Sequence, residues 1–191
     1  MKKRFEETLP EGYRLARTVD AKDKKTSMTL NIVTSVVSVL LVVACFFIFR
    51  PVREGSFLLK AVLFLVSIAV YYVLHELVHG LVYKIMTRRK LKFGMTLSVA
   101  FCGVPDIYVY RITALLSLVA PFIVFTVVFV LLTVFLPGNT NKFLASSLCS
   151  IHLAGCSGDI YDTLLLLFRL RDKTTLMNDT GPKQTFYVKE K

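Results

Sequence analysis

Acidic residues are scarce in this chain of 191 residues, where 13 Asp and Glu stand against 24 Lys and Arg for a formal charge of +11. Charge of either sign is thin as well, at 19% of residues, where soluble globular domains carry roughly a quarter. With a mean hydropathy of +0.60, that balance does not fit a water-soluble single core. Disorder is excluded in turn, because 54% of the residues are hydrophobic and disordered segments are poor in such residues. The four cysteines, Cys45, Cys102, Cys149 and Cys156, form no C-x-x-C pair and no finger spacing, which removes the common thiolate zinc modules. No internal repeat and no low-complexity tract is present. What remains is a one-domain membrane protein.

Four apolar segments bear this out. Met28 to Phe49 has no charge, Ala61 to Tyr83 has Glu76, Ile112 to Leu136 has none, and Phe143 to Phe168 has Asp159 and Asp162. Each is long enough to cross about 30 Å of hydrocarbon, which takes roughly 20 helical residues. The first follows a polar stretch of 27 residues and reads as an anchor rather than a signal peptide. Fold expectation is therefore all-α integral membrane: an N-terminal segment 1–27, a four-helix membrane region 28–168 and a tail 169–191.

Lys and Arg set the orientation. Eight lie in residues 1–27, six from Lys84 to Arg111 and six after Phe168; Arg50, Arg53, Lys60 and Lys142 make up the rest. Both termini and the middle connection are thus expected on the cytoplasmic side of a multipass cell-membrane protein. The charge is explained by topology and anionic lipid heads, so nucleic acid is not needed as a partner. Within the middle connection, Met95 to Tyr110 alternates on both sides of Gly103-Val104-Pro105-Asp106. This predicts a short β-hairpin or re-entrant segment between helices two and three, with an amphipathic interfacial loop as the alternative. The 23-residue tail, polar and holding Gly181-Pro182, is expected to be flexible.

All three histidines, His75, His79 and His152, fall in apolar segments, as do Glu76, Asp159 and Asp162. An ionisable group near mid-bilayer costs about 2.5–3.5 kcal/mol, so these are functional candidates. His75-Glu76-Leu77-Val78-His79 is H-E-x-x-H on a helix, where residues i and i+4 share a face and both imidazoles reach one zinc ion. Glu76 is placed to take a proton from water activated there. A hydrolytic zinc site wants three protein ligands and an open position. With Arg88 and Arg169 as cytoplasmic helix ends and a rise of about 1.5 Å per residue, His79 lies about 14 Å deep, His75 about 20 Å and Asp159 about 15 Å. Asp162 comes out near 10 Å and His152 near 26 Å. Asp159 is the preferred third ligand, with Asp162, His152 and Cys156 as alternatives. Asp162 otherwise lines a water path or snorkels; His152 orients substrate or is a core histidine. Ser146, Ser150, Ala154 and Gly158 recur every four residues, a small-residue stripe expected to press helix four onto helix two, with Gly155 and Gly158 distorting the helix locally.

A helix carrying HELVHG, a basic connection, a second helix and a third with Gly158-Asp159 together resemble intramembrane zinc metalloproteases of the site-2 protease type. More narrowly they resemble a small bacterial family of putative zincin peptidases. The resemblance covers about residues 57–168 and implies a three-helix core with helix one as an added anchor. It implies His75, His79 and Asp159 as metal ligands, Glu76 as the catalytic base, and a hairpin that pairs with an unfolded membrane protein or peptide substrate. This chain has Gly158-Asp159 where site-2 proteases have Asp-Gly, His152 where an Asn-Pro pair precedes, and Ala120-Pro121 in place of Gly-Pro. The function expected is zinc-dependent endopeptidase activity in or beside the bilayer; a membrane scaffold with a structural zinc is the alternative.

Overall fold

A computed structural model describes residues 3–20, 23–52, 55–95 and 100–190. Three long helices follow the first three apolar segments: α1 (Lys24–Phe49), α2 (Phe57–Thr87) and α3 (Arg111–Phe135). Among the described residues these are the helices long and apolar enough to cross a membrane. Their outward faces are apolar: Phe47, Leu58 and Leu65 are each more than 60% exposed, and nothing in Ile32–Phe49 is buried. Such surface is stable in hydrocarbon, where a helix satisfies its own backbone hydrogen bonds.

The fourth apolar segment is not a continuous span. It is divided into α4 (Asn139–Gly155), α5 (Ser157–Leu164) and a π-helical turn, Leu165–Arg169. Glycines 155 and 158 flank the break at Cys156, and four side chains that hydropathy counts against a span, Ser146, Ser150, His152 and Asp162, are buried. The π turn closes with Leu170 N–H donating to the Leu165 carbonyl (2.9 Å). Arg111 Nε donates to the neighbouring Leu166 carbonyl (2.9 Å), supplying a partner for a backbone group at an irregular turn.

The all-α expectation is overturned by a five-stranded antiparallel sheet. Its strands are β1 (Phe5–Glu6), β2 (Tyr13–Asp20), β5 (Tyr108–Tyr110), β6 (Leu176–Asp179) and β7 (Lys183–Lys189), in the order β1-β5-β6-β7-β2. Both polar ends of the chain are therefore strands, and the tail expected to be flexible pairs along its length: Tyr13 stands opposite Lys189 and Leu176 opposite Tyr187. Leu176, Met177 and Phe186 are fully buried. The β2–β7 pairing joins residues up to 176 positions apart, Tyr13 with Lys189, and a hydropathy window of about 20 residues contains no trace of it.

The hairpin expectation is half corrected. A second sheet pairs β3 (Lys92–Met95) with β4 (Ala100–Gly103), Lys92 opposite Gly103 and Met95 opposite Ala100. The strands flanking Gly103 to Asp106, β4 and β5, do not pair with each other: β5 goes to the larger sheet. Residues 96–99 of the expected hairpin lie outside the described residues.

The chain forms two compact units, to both of which α2 and α3 contribute. One comprises 1–29, 75–121 and 159–191 and holds both sheets. Its core packs Tyr83 of α2, Val104, Val109 of β5, Leu118 of α3, Met177 and Phe186. The other comprises 30–74 and 122–158. There the small-residue stripe receives α1, while α2 meets α4 beside it, Tyr71 Oη standing 2.9 Å from His152 Nδ1. Thr34 Oγ1 donates to the Ala154 carbonyl (3.3 Å), Cys45 Sγ lies 3.6 Å from Ser150 Oγ, and Phe46 meets Phe143 edge-on. Gly158, the last member of the stripe, has no neighbour within 4 Å of a built Cβ.

Candidate metal centre

Along α2, Tyr71, His75, His79 and Tyr83 recur every four residues and so share one face. Both histidines are 7% exposed. His75 Nε2 lies 3.2 Å from His79 Nε2 and 3.2 Å from Asp159 Oδ2. His79 Nε2 is 3.4 Å from the same oxygen. Asp159 sits in the first turn of α5, where the exposed backbone N–H groups favour a carboxylate.

These distances test the donor set. Ligand atoms held about 2.0–2.1 Å from a zinc ion at tetrahedral angles stand about 3.3–3.4 Å apart. Two nitrogens and one oxygen with edges of 3.2, 3.2 and 3.4 Å fit that triangle. The chemistry fits too, since imidazole and carboxylate are usual zinc donors. His79 Nδ1 lies 3.0 Å from the Ser117 carbonyl. A carbonyl only accepts, so Nδ1 carries the hydrogen and the neutral ring turns a lone pair at Nε2 towards His75 and Asp159. A Glu76 oxygen lies within 4.8 Å of ring nitrogens of both histidines, a separation that one water bridges.

The β3–β4 hairpin packs directly on this stretch of α2. A Cβ on Gly80 would come 2.8 Å from Phe93 Cζ and 3.1 Å from Cys102 Sγ and Leu91 Cδ1, so the residue after H-E-x-x-H is a glycine because the hairpin occupies its side-chain space. Cys102, in β4, therefore lies against the α2 backbone one residue past His79. Burial pushes the Cys102 thiol up to about 12, with the charges of Glu76 and Asp179 adding, which keeps it a thiol and not a thiolate ligand.

Asp162 is 3% exposed and its Oδ1 has no hydrogen-bond partner among the described residues. His152 belongs to the other unit and is fully buried. Tyr71 Oη lies 2.9 Å from its Nδ1, and Nε2 is 3.2 Å from the Phe122 carbonyl and 3.1 Å from Thr126 Oγ1. Because the carbonyl must accept, Nε2 carries the hydrogen and Tyr71 donates to Nδ1, leaving no free lone pair on the ring. Cys156 Sγ is 3.5 Å from that Nδ1.

Sequence reading missed three participants. Tyr83 was legible as the next member of the α2 face. Ser117 acts through its carbonyl, and no residue type announces that. Asp179 of β6 has no local signal: its Oδ2 accepts from Tyr83 Oη at 2.7 Å, across 96 residues of chain. Burial holds its carboxyl up at about 6, opposed by the hydrogen bonds from Tyr83, the Gly181 amide and Gln184 and by His79.

A family model described as putative zincin peptidase matches residues 68–173, which is 106 of 191 residues. That description implies a zinc-dependent metallopeptidase. No curated protein and no solved structure matches the chain. The match runs from just before the H-E-x-x-H face, through the hairpin that packs on it, to beyond the carboxylate that meets both imidazoles, and by that match the chain belongs to the putative zincin peptidase family.

Proposed function

We propose that the protein is an intramembrane zinc endopeptidase of the site-2 protease type, cutting peptide bonds in or beside the bilayer of a bacterial cell membrane. The observation that carries this is the triangle of His75, His79 and Asp159 beside Glu76, on a helix long and apolar enough to span. His75, His79 and Asp159 would hold the metal. When bound, zinc acidifies water and polarises a peptide carbonyl as a Lewis acid. Ser117 fixes the His79 tautomer that a ligand needs. Glu76 takes one proton of the attacking water at a carboxylate oxygen, the water oxygen bonds to the scissile carbon, and Glu76 returns the proton to the leaving amine nitrogen as the C–N bond breaks. The substrate is a membrane protein or peptide presented as an extended strand along the β3–β4 hairpin, in the manner of β-augmentation.

Topology supports a cytoplasm-facing site. The three basic segments of the chain contribute β1 and β2, β5, and β6 and β7 to one hydrogen-bonded sheet, which supports a reading with all three on one side of the bilayer. An even number of crossings must then separate each from the next: α1 and α2 separate the first two. Between the second and third, α3 crosses and the broken α4–α5 segment returns the chain. The positive-charge bias makes that shared side cytoplasmic. The test is cleavage of a membrane peptide by purified, zinc-loaded protein in detergent or vesicles: Glu76→Gln keeps the zinc and loses cleavage. Equal turnover by that variant sinks the mechanism.

A further inference from the structure

We infer that Asp179 is a positioning residue for the proposed site, acting from outside the stretch that the family model covers, and this rests on the endopeptidase reading above. The carboxylate binds on both sides. Its Oδ2 accepts from Tyr83 Oη at 2.7 Å, and its Oδ1 accepts from the Gly181 amide at 2.9 Å and from Gln184 Nε2 at 3.3 Å. Its backbone carbonyl accepts from Val104 N at 2.8 Å. Tyr83 is one helical turn beyond His79, and Val104 directly follows β4. One residue of β6 therefore ties the H-E-x-x-H helix at Tyr83 to the hairpin strand at Val104.

Close packing leaves this tie little play. A Cβ on Gly103 would meet Gly181 N at 2.4 Å and the Asp179 carbonyl at 2.7 Å, both backbone atoms, so the end of β4 lies against the turn after β6. Asp179, Tyr83 and Val104 are each less than 5% exposed. Two residues before Val104, Cys102 Sγ lies 3.1 Å from where a Cβ on Gly80 would stand, next to His79 on α2. The tie thus fixes where β4 stands along α2, beside the residues that carry H-E-x-x-H. Asp179 lies outside residues 68–173, so through this tie the C-terminal hairpin becomes part of the proposed site.

Asp179→Ala removes the tie, and Tyr83→Phe removes one hydroxyl from it with less risk to folding; both are tested singly and together in the full-length protein. Amide hydrogen exchange is measured at Cys102, with Val109 and Met177 in the large sheet as references. Both variants should speed exchange at Cys102 by about tenfold or more while the references stay slow. The double variant should be no faster than Asp179→Ala, because the two residues act as one pair. With peptide substrate, kcat for each metal-loaded site should fall about tenfold with KM within about twofold. Unchanged Cys102 exchange overturns the inference, as does unchanged kcat per loaded site. A uniform rise in exchange across the sheet in both variants does so too, making the pair a stability element only. Wild-type protein that binds metal but cleaves nothing overturns the endopeptidase reading instead, and the exchange measurement still decides the tie.

Discussion

Asp159 Oδ2 stands 3.2 Å from His75 Nε2 across 84 residues of chain, and 3.4 Å from His79 Nε2. A single carboxylate oxygen thus meets two imidazoles spaced one helical turn apart.

The first prediction concerns that oxygen. Asp159→Ala should lose stoichiometric zinc, while Asp162→Ala, whose Oδ1 makes no hydrogen bond among the described residues, should keep it and be at least as stable. Replacing a buried, unsatisfied polar group by an apolar one is near neutral or favourable. Metal content after dialysis is the measurement; the reverse pattern moves the site one turn along α5.

Glu76→Gln keeps the shape of the side chain but not its basicity. Turnover should fall by about 10²–10⁴-fold, the usual contribution of a general base, with zinc retained. In the cobalt-substituted wild type, a spectrum of three protein ligands with an exchangeable position agrees with hydrolysis. A closed four-ligand spectrum supports a structural zinc.

Stability should carry the signature of Asp179. Burial raises its folded value to about 6 from the ordinary 3.8, so between those values the folded state holds a proton that the unfolded chain gives up. The contribution is complete below about pH 4 and is lost as pH rises through 6, at a slope of at most about 1.4 kcal/mol per pH unit. Asp179→Asn cannot ionise and should flatten that slope in denaturation measured from pH 4 to 7. An unaltered slope assigns it to another group.

Two glycines should behave oppositely. At Gly103 an added Cβ meets backbone within 2.4–2.8 Å, so Gly103→Ala should destabilise by about 1–3 kcal/mol through overpacking. At Gly158, inside α5, nothing lies within 4 Å, and Gly158→Ala should be neutral or gain up to about 1 kcal/mol in helix propensity. Denaturation midpoints of the two variants check the contrast.

Much of the candidate site was legible locally. His75, Glu76 and His79 announce themselves because one helix face brings i and i+4 together and the surrounding residues are too apolar to hold such groups idly. Tyr83 continues that face and was passed over only because a tyrosine near an interface is unremarkable by type. Asp179 and the Ser117 carbonyl were not legible, since one sits in a strand disguised as a polar tail and the other belongs to the backbone.

The amino-acid sequence by itself determined the three long helices, the face that carries H-E-x-x-H and the clustering of basic residues in three segments, because each follows from composition or from a period of 3.6 residues. Only the tertiary structure decided that Asp159 meets both imidazoles, that the three basic segments close into one sheet, that the small-residue stripe receives α1, and that Asp179 reaches Tyr83. Those contacts join residues dozens to more than 170 positions apart. They depend on how the whole chain shares its buried surface and hydrogen bonds, a property no local window of sequence contains.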